Sequence, residues 1–238
     1  MNLLRDEELV SLIAQSGGKW IFMGLESIDP DNLKSVRKGF NKPAEYKAIL
    51  ESLARHNLYA ITSFIFGMDS DRPGVAQRTL DVVRSWPPGL PVFGLLTPYP
   101  ATPLYDKLAA AGRLTRPKHW LEFKPFTMDF SPLEISAEQA QEEVRQAWGA
   151  SYDAATNASA IGWLESKNFP DRLIHLMGRL AFRGIYFPQM KKREWVRLLI
   201  QNRRPILHLI GQALEMKLKP QPSEPFSIET QQPAERSV

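Results

Sequence analysis

Read for apolar and polar positions alone, the first half of the chain switches repeatedly between two periods. Leu9, Val10, Leu12 and Ile13 recur at helical spacing behind Asp6, Glu7 and Glu8, whose charges suit a helix N-terminus, and Gly17 and Gly18 end that segment. The run 20–23 then reads as a buried strand leading to Gly24. Asp29, Pro30 and Asp31 predict a turn or short helix. Residues 43–57 predict a longer one, with Tyr46, Ile49, Leu50 and Leu53 as its apolar stripe and Asn57 as a left-handed last residue. A second strand over 59–66, a polar loop at 69–71, a helix over 73–86 and a third strand over 90–96 follow. A short helix from Pro103 ends at Gly112. Strands separated by helices imply an α/β fold, with parallel strands joined by right-handed crossovers. Three strands are too few to close a barrel.

Beyond Gly112 the pattern changes. Residues 113–133 are irregular and carry Trp120, Phe123, Phe126 and Phe130. Ser136 and Gln139 have the spacing of a capping box and open a helix to about 152. Helices are expected over about 169–185 and 191–217, the latter with a break at Pro205. Trp148, Tyr152, Trp163, Phe169, Tyr186, Phe187 and Trp195 are expected to form the core of a small helical domain. From Pro220 the chain is Pro, Gln, Ser and Glu with almost no apolar residue, a composition that cannot offset chain entropy. The expected organisation is thus 1–115 with the strands, 116–218 mostly helical, and 219–238 disordered.

Composition narrows the chemistry. The chain has 238 residues, enough for a real core, and no cysteine. Disulfides, thiolate nucleophiles, Cys-bound zinc and an ordinary Cys-bound iron–sulfur cluster are therefore excluded for these residues alone. His56, His119, His175 and His208 show no metal-ligand spacing. With no signal peptide and no apolar run of membrane-spanning length, a cytoplasmic location is expected. Net charge is only +4, but residues 172–219 carry Arg172, Arg179, Arg183 and eight further cations against Glu194 and Glu215. Such a stretch reads as a solvated helix face or as a surface for nucleic acid, anionic lipid or an acidic partner.

Three short motifs carry more. Gly24, Glu26 and Ser27 end the first strand and precede a loop with Lys38 and Asn41. Phe64, Ile65, Phe66 and Gly67 end the second. Thr97 to Tyr105, Thr-Pro-Tyr-Pro-Ala-Thr-Pro-Leu-Tyr, follows the third. Their order and spacing resemble the C-terminal half of radical S-adenosylmethionine proteins, above all those with a cobalamin-binding domain, over residues 3–146. That resemblance implies a partial (β/α) barrel fragment of about three parallel strands, followed by the helical C-terminal region. It also implies a 4Fe-4S cluster on a three-cysteine loop, reductive cleavage of S-adenosylmethionine to a 5′-deoxyadenosyl radical, and hydrogen abstraction or methyl transfer. Cluster loop and cobalamin domain would lie upstream of anything in this sequence. Ala101 stands where the family usually has Gly, and it calls for a negative φ.

By the same resemblance, Glu26 and Ser27 would hydrogen-bond the ribose or methionine end of S-adenosylmethionine. Gly67 would let the backbone approach the ligand, and Leu96, Thr97 and Pro98 would flank the adenine. The bland alternatives stand open beside these: a carboxylate capping the next helix, a turn glycine, and packing at a barrel rim. Lys38 reads as a contact to a substrate carboxylate or phosphate, or as a solvated loop lysine. The leading expectation is a truncated or split radical S-adenosylmethionine protein, inactive alone, whose substrate is an unknown small molecule or lipid: either a separate chain supplies the cluster half, or the gene is a remnant or its start is placed too far downstream. On that reading nucleic acid is not an expected partner. The second expectation is a non-catalytic binding module acting through 172–219, with binding to nucleic acid or a membrane surface that weakens steeply with salt.

Overall fold

The computed structural model describes residues 6–115, 119–186 and 191–218, so the tail expected to be disordered lies outside the described residues. Strands β1 (Trp20–Glu26), β2 (Tyr59–Phe66) and β3 (Leu90–Leu95) form one sheet in chain order. Both pairings are parallel, as the strand–helix alternation requires. Helix α1 (Glu7–Gln15) precedes β1, and α2 (Pro30–Ser35) and α3 (Pro43–Arg55) cross from β1 to β2. Helix α4 (Val75–Val83) crosses to β3, and α5 (Pro103–Ala110) follows the proline-rich loop. Asn57 takes the expected left-handed conformation after α3 (φ 56°).

Burial alternates along β2. Thr62, Phe64 and Phe66 are buried against helices, while Ile61, Ser63 and Ile65 lie half-buried on the other face. The helix side forms an aromatic core: Phe64 stacks on Phe93 with centroids 5.6 Å apart, and the edge of Trp148 meets Phe93 at 6.1 Å. Trp148 lies on α6 (Ala137–Ser151), which opens with the capping box of Ser136 and Gln139. Helix α6 and Tyr152 belong to the same buried cluster as the sheet. Trp148 and Tyr152 therefore serve the sheet rather than a helical domain. Helical periodicity shows which face is apolar, not which core it meets.

Helices α7 (Ala154–Trp163), α8 (Phe169–Tyr186), α9 (Lys192–Gln201) and α10 (Arg203–Leu218) follow. They share a smaller cluster of Ile161, Leu176, Leu180, Leu198 and Leu209. Trp163 and Trp195, expected in that core, are 47% and 43% exposed. The break between α9 and α10 falls at Asn202, not Pro205. The Asn202 side chain donates to Leu198 O (2.8 Å) and accepts from Asn157 Nδ2 (2.9 Å). Pro205 sits in the first turn of α10, where a missing N–H costs nothing. Among the described residues, no helix is long and apolar enough to cross a membrane.

Candidate functional site at the strand ends

Because the strands are parallel, their C-terminal ends share one edge of the sheet. Glu26 and Ser27, Gly67, and Leu96 to Pro98 are thereby brought to a single rim. This is the end at which open parallel sheets present ligand sites.

At β1 the register slips between Gly24 and Glu26, and Glu26 has a positive φ of 65°. For a side chain other than glycine this conformation costs about 1–2 kcal/mol. The bulge turns the carboxylate back over Gly24, where a Cβ would lie 2.7 Å from Oε1. Lys38 Nζ pairs with that oxygen at 3.3 Å, so the loop lysine meets an acid of its own chain. Asn41, buried, donates to Gly24 O at 2.9 Å, and the Tyr46 hydroxyl donates to Leu25 O at 2.9 Å. Burial, and secondarily the Glu26 charge, pushes the Tyr46 hydroxyl above its usual range. The tyrosine stays a neutral donor.

Ser27 is buried and committed locally. Its hydroxyl oxygen accepts from the Asp29 N–H (3.0 Å) and the Asn32 amide (3.4 Å). Asn32 also donates to Asp71 Oδ1 at 2.7 Å and accepts from Ser70 Oγ. Asp71 Oδ2 takes the Met68 N–H at 3.0 Å. Burial raises the Asp71 carboxyl above its usual value, against the hydrogen bonds that favour its charge. This bridge ties the end of β1 to the end of β2. Sequence reading missed Asn32 and Asp71; the only signal was an Asp-rich loop directly after a strand.

Gly67 has φ 83°, and a Cβ there would lie 2.7 Å from Met128 Cε. Met128, itself buried, thus occupies the space over Gly67. Leu96 continues the ladder by donating to Phe66 O (2.8 Å), and Thr97 Oγ1 donates to Leu95 O (3.1 Å). Pro98 is buried, Leu96 and Thr97 half-buried. Ala101 does not have the expected negative φ; it sits at 63°. The loop keeps a glycine's backbone shape with an alanine in it.

For an iron–sulfur cluster the donor set does not fit. There is no cysteine, and among the described residues no three His, Asp or Glu side chains cluster as metal ligands.

Searched against protein-family models, the chain matches none. Among curated proteins it is 33% identical, over 144 residues, to bacteriochlorophyllide d C-12(1)-methyltransferase of Chlorobaculum tepidum, covering 60% of this chain and 30% of that protein. It is 26% identical to hopanoid C-2 methylase of Rhodopseudomonas palustris, covering 48% and 22%. It is 29% identical to anaerobic magnesium-protoporphyrin IX monomethyl ester cyclase of Cereibacter sphaeroides, covering 44% and 17%. The chain thus spans less than a third of the length of these three relatives. The likeness drawn from the strand-end motifs is borne out: about half of the chain is homologous to radical S-adenosylmethionine methyltransferases and cyclases.

Proposed function

We propose, from this homology, that the chain forms the C-terminal part of a radical S-adenosylmethionine barrel of the cobalamin-dependent type, and that its strand-end rim helps to hold S-adenosylmethionine. The observation that carries the reading is the convergence of all three motifs on one edge of a parallel sheet. Glu26 is the acceptor for the ribose hydroxyls, since a carboxylate can take two O–H donors at once. Lys38 must then yield one oxygen. Ser27 has its O–H hydrogen left to donate, since its hydroxyl oxygen already accepts twice and its backbone N–H and C=O are bonded to Leu25 O and the Tyr46 hydroxyl. Gly67 offers an approach once the Met128 thioether moves, and a flexible side chain moves at little cost. Leu96, Thr97 and Pro98 line the adenine side.

S-adenosylmethionine supplies a methyl group or, once reductively cleaved, a radical. The electron for that cleavage cannot pass through this chain's residues, which lack thiolates for a cluster. The cluster-binding half and the cobalamin site belong to a further segment, in the same or another polypeptide, whose strands extend the sheet beyond β1. The substrate class is a small molecule or lipid, in keeping with the bacteriochlorophyllide and hopanoid in the relatives' names.

Anaerobic reconstitution with iron and sulfide should leave this chain colourless, and a stoichiometric cluster would overturn the reading. Co-expressed with a cysteine-bearing barrel half, the chain should complete an assembly that binds S-adenosylmethionine and releases 5′-deoxyadenosine. In that assembly Glu26→Ala should weaken S-adenosylmethionine binding about tenfold, the scale of one lost charged hydrogen bond. Unchanged affinity would remove Glu26 from the site.

A further inference from the structure

At the other end of the sheet lies a cavity of about 450 Å³, within the range of small-molecule sites. It opens between α4, the turn at 87–89, α6, α7 and α8. Gly89 and Pro91, at the start of β3, line it, so it is separated from the rim by the length of the strand, roughly 20 Å. Leu80, Val83, Trp86, Pro87, Pro91 and Trp163 make most of its wall apolar and flat.

Six polar side chains break that wall, and two of them, Arg179 and Ser151, are buried. Arg179 is 3% exposed and lines the cavity. Its N–H groups go to Asn157 Oδ1 (2.7 Å), Gly89 O (2.6 Å) and Ser151 O, and the Tyr152 ring faces its guanidinium carbon at 5.1 Å. All three acceptors are neutral, and among the described residues no carboxylate pairs with this cation. A buried guanidinium with no carboxylate bonded to it carries a desolvation cost of several kcal/mol, which neutral dipoles and the through-space attraction of Asp153 offset only in part. Burial accordingly lowers its pKa. Ser151 is the second. It is 4% exposed, lines the same cavity, and its hydroxyl has no hydrogen-bond partner. Buried hydroxyls are seldom left so. Two other charged groups reach the wall. Arg84 is held by Asp81 at 3.3 Å, and Asp153 is engaged by the Thr156 N–H at 2.7 Å.

We propose that this cavity binds a small amphipathic monoanion, a carboxylate on a flat apolar body. The carboxylate lies toward Arg179 and Ser151, and the body lies among Trp86, Trp163 and the prolines. One negative charge gives Arg179 a directly bonded counter-ion in place of the through-space attraction of Asp153, one oxygen satisfies the Ser151 hydroxyl, and the apolar walls lose water to the rest of the ligand. The proposal stands apart from the strand-end reading, because no residue of the rim lines this cavity.

The test uses the whole chain, with 2-naphthoate and its neutral analogue 2-naphthamide as probes. Calorimetric titration should show saturable one-to-one binding of naphthoate, with quenching of tryptophan fluorescence and affinity at least about tenfold above that for naphthamide. Ser151→Ala should weaken naphthoate severalfold. Ser159→Trp, at an exposed lining position, should fill the mouth and abolish binding while circular dichroism stays unchanged. Equal affinity for acid and amide, absence of saturable binding, or binding indifferent to Ser159→Trp would each overturn the proposal.

Discussion

On the outer side of β3, the Tyr152 hydroxyl donates to Pro91 O at 2.8 Å and the Trp148 indole to Phe93 O at 2.7 Å. Leu95 donates to Pro125 O at 2.7 Å, and Pro91 has no N–H to satisfy. That edge of the sheet is closed by the chain's own side chains and loop. On the outer side of β1, by contrast, no strand is paired among the described residues. Tyr59 donates to Lys19 O at 2.9 Å, which fixes the register. The alternate peptide groups of Trp20, Phe22 and Gly24 therefore face outward. Asn41 takes Gly24 O, but Phe22 is 66% exposed. Two edges of one sheet thus have opposite fates. Closing an edge from within requires donors spaced like strand carbonyls, and α6 with its C-cap provides them as Trp148 and Tyr152, four residues apart. At β1 Asn41 covers the Gly24 end, and at the base α8 sets His175 between Trp20 and Tyr59, each ring 5.0 Å away. An open parallel edge invites another strand, which is what the proposed barrel half would bring.

The sharpest way to break this contrast is at the closed edge. Trp148 is fully buried, and Trp148→Ala should cost about 3–5 kcal/mol, enough to bring the protein near its unfolding threshold. Urea denaturation measures it. A loss below about 1 kcal/mol would mean that α6 is not what seals β3.

The base of β1 gives the next effect. Burial, with Arg179 nearby, lowers the His175 pKa to about 3 from the 6.5 of a free histidine. Above pH 6.5 both folded and unfolded chains hold it neutral, and it adds no pH dependence. As pH falls below 6.5 the unfolded chain takes up a proton that the folded chain refuses, so stability is lost until pH 3. Between pH 7.5 and 5 the loss should be about 2 kcal/mol. Asp71, raised by burial, acts in the opposite sense, its contribution being lost as pH rises through its raised pKa. Urea midpoints against pH should show the slope, and His175→Phe should flatten it. A slope that survives the substitution would assign it elsewhere.

A smaller gain is expected at the rim. Ala101 holds a left-handed backbone at φ 63°, and Ala101→Gly removes that strain while adding chain entropy to the unfolded state. The net should be a stabilisation of about 0.5 kcal/mol, read as a shift in urea midpoint. Destabilisation would place the loop in another conformation.

What the sequence made legible follows the same division. Apolar period and turn chemistry are local, so the three strands, the left-handed Asn57 and the capping box at Ser136 could be read directly. The rim was readable because parallel strands bring their ends together whatever else happens. Features set by distant partners were not. Asn202 breaks a helix because Asn157 meets it. Asp71 and Asn32 bridge two strand ends from positions 39 apart in the chain. Arg179, one cation in a basic run, is buried rather than solvated because three oxygens from separate segments converge on it. Helix α7 escaped notice although Asp153 caps it, since its small residues form no stripe.

The smallest effect on stability is expected at the open edge, and there it discriminates most. Phe22 contributes little to the folded chain because two thirds of it is already in water. Phe22→Lys should therefore shift the urea midpoint by less than about 0.5 kcal/mol. A lysine on an edge strand nevertheless blocks pairing, since a second strand would have to bury its charge. The variant should sediment as a monomer at concentrations where the unmodified chain associates, and it should no longer capture a co-expressed cysteine-bearing half. Loss of both with an unchanged midpoint would identify the outer side of β1 as a docking edge. Association and capture that persist in the variant would mean that the edge is closed by something other than a strand, and the contrast between the two sides of the sheet would lose its functional meaning.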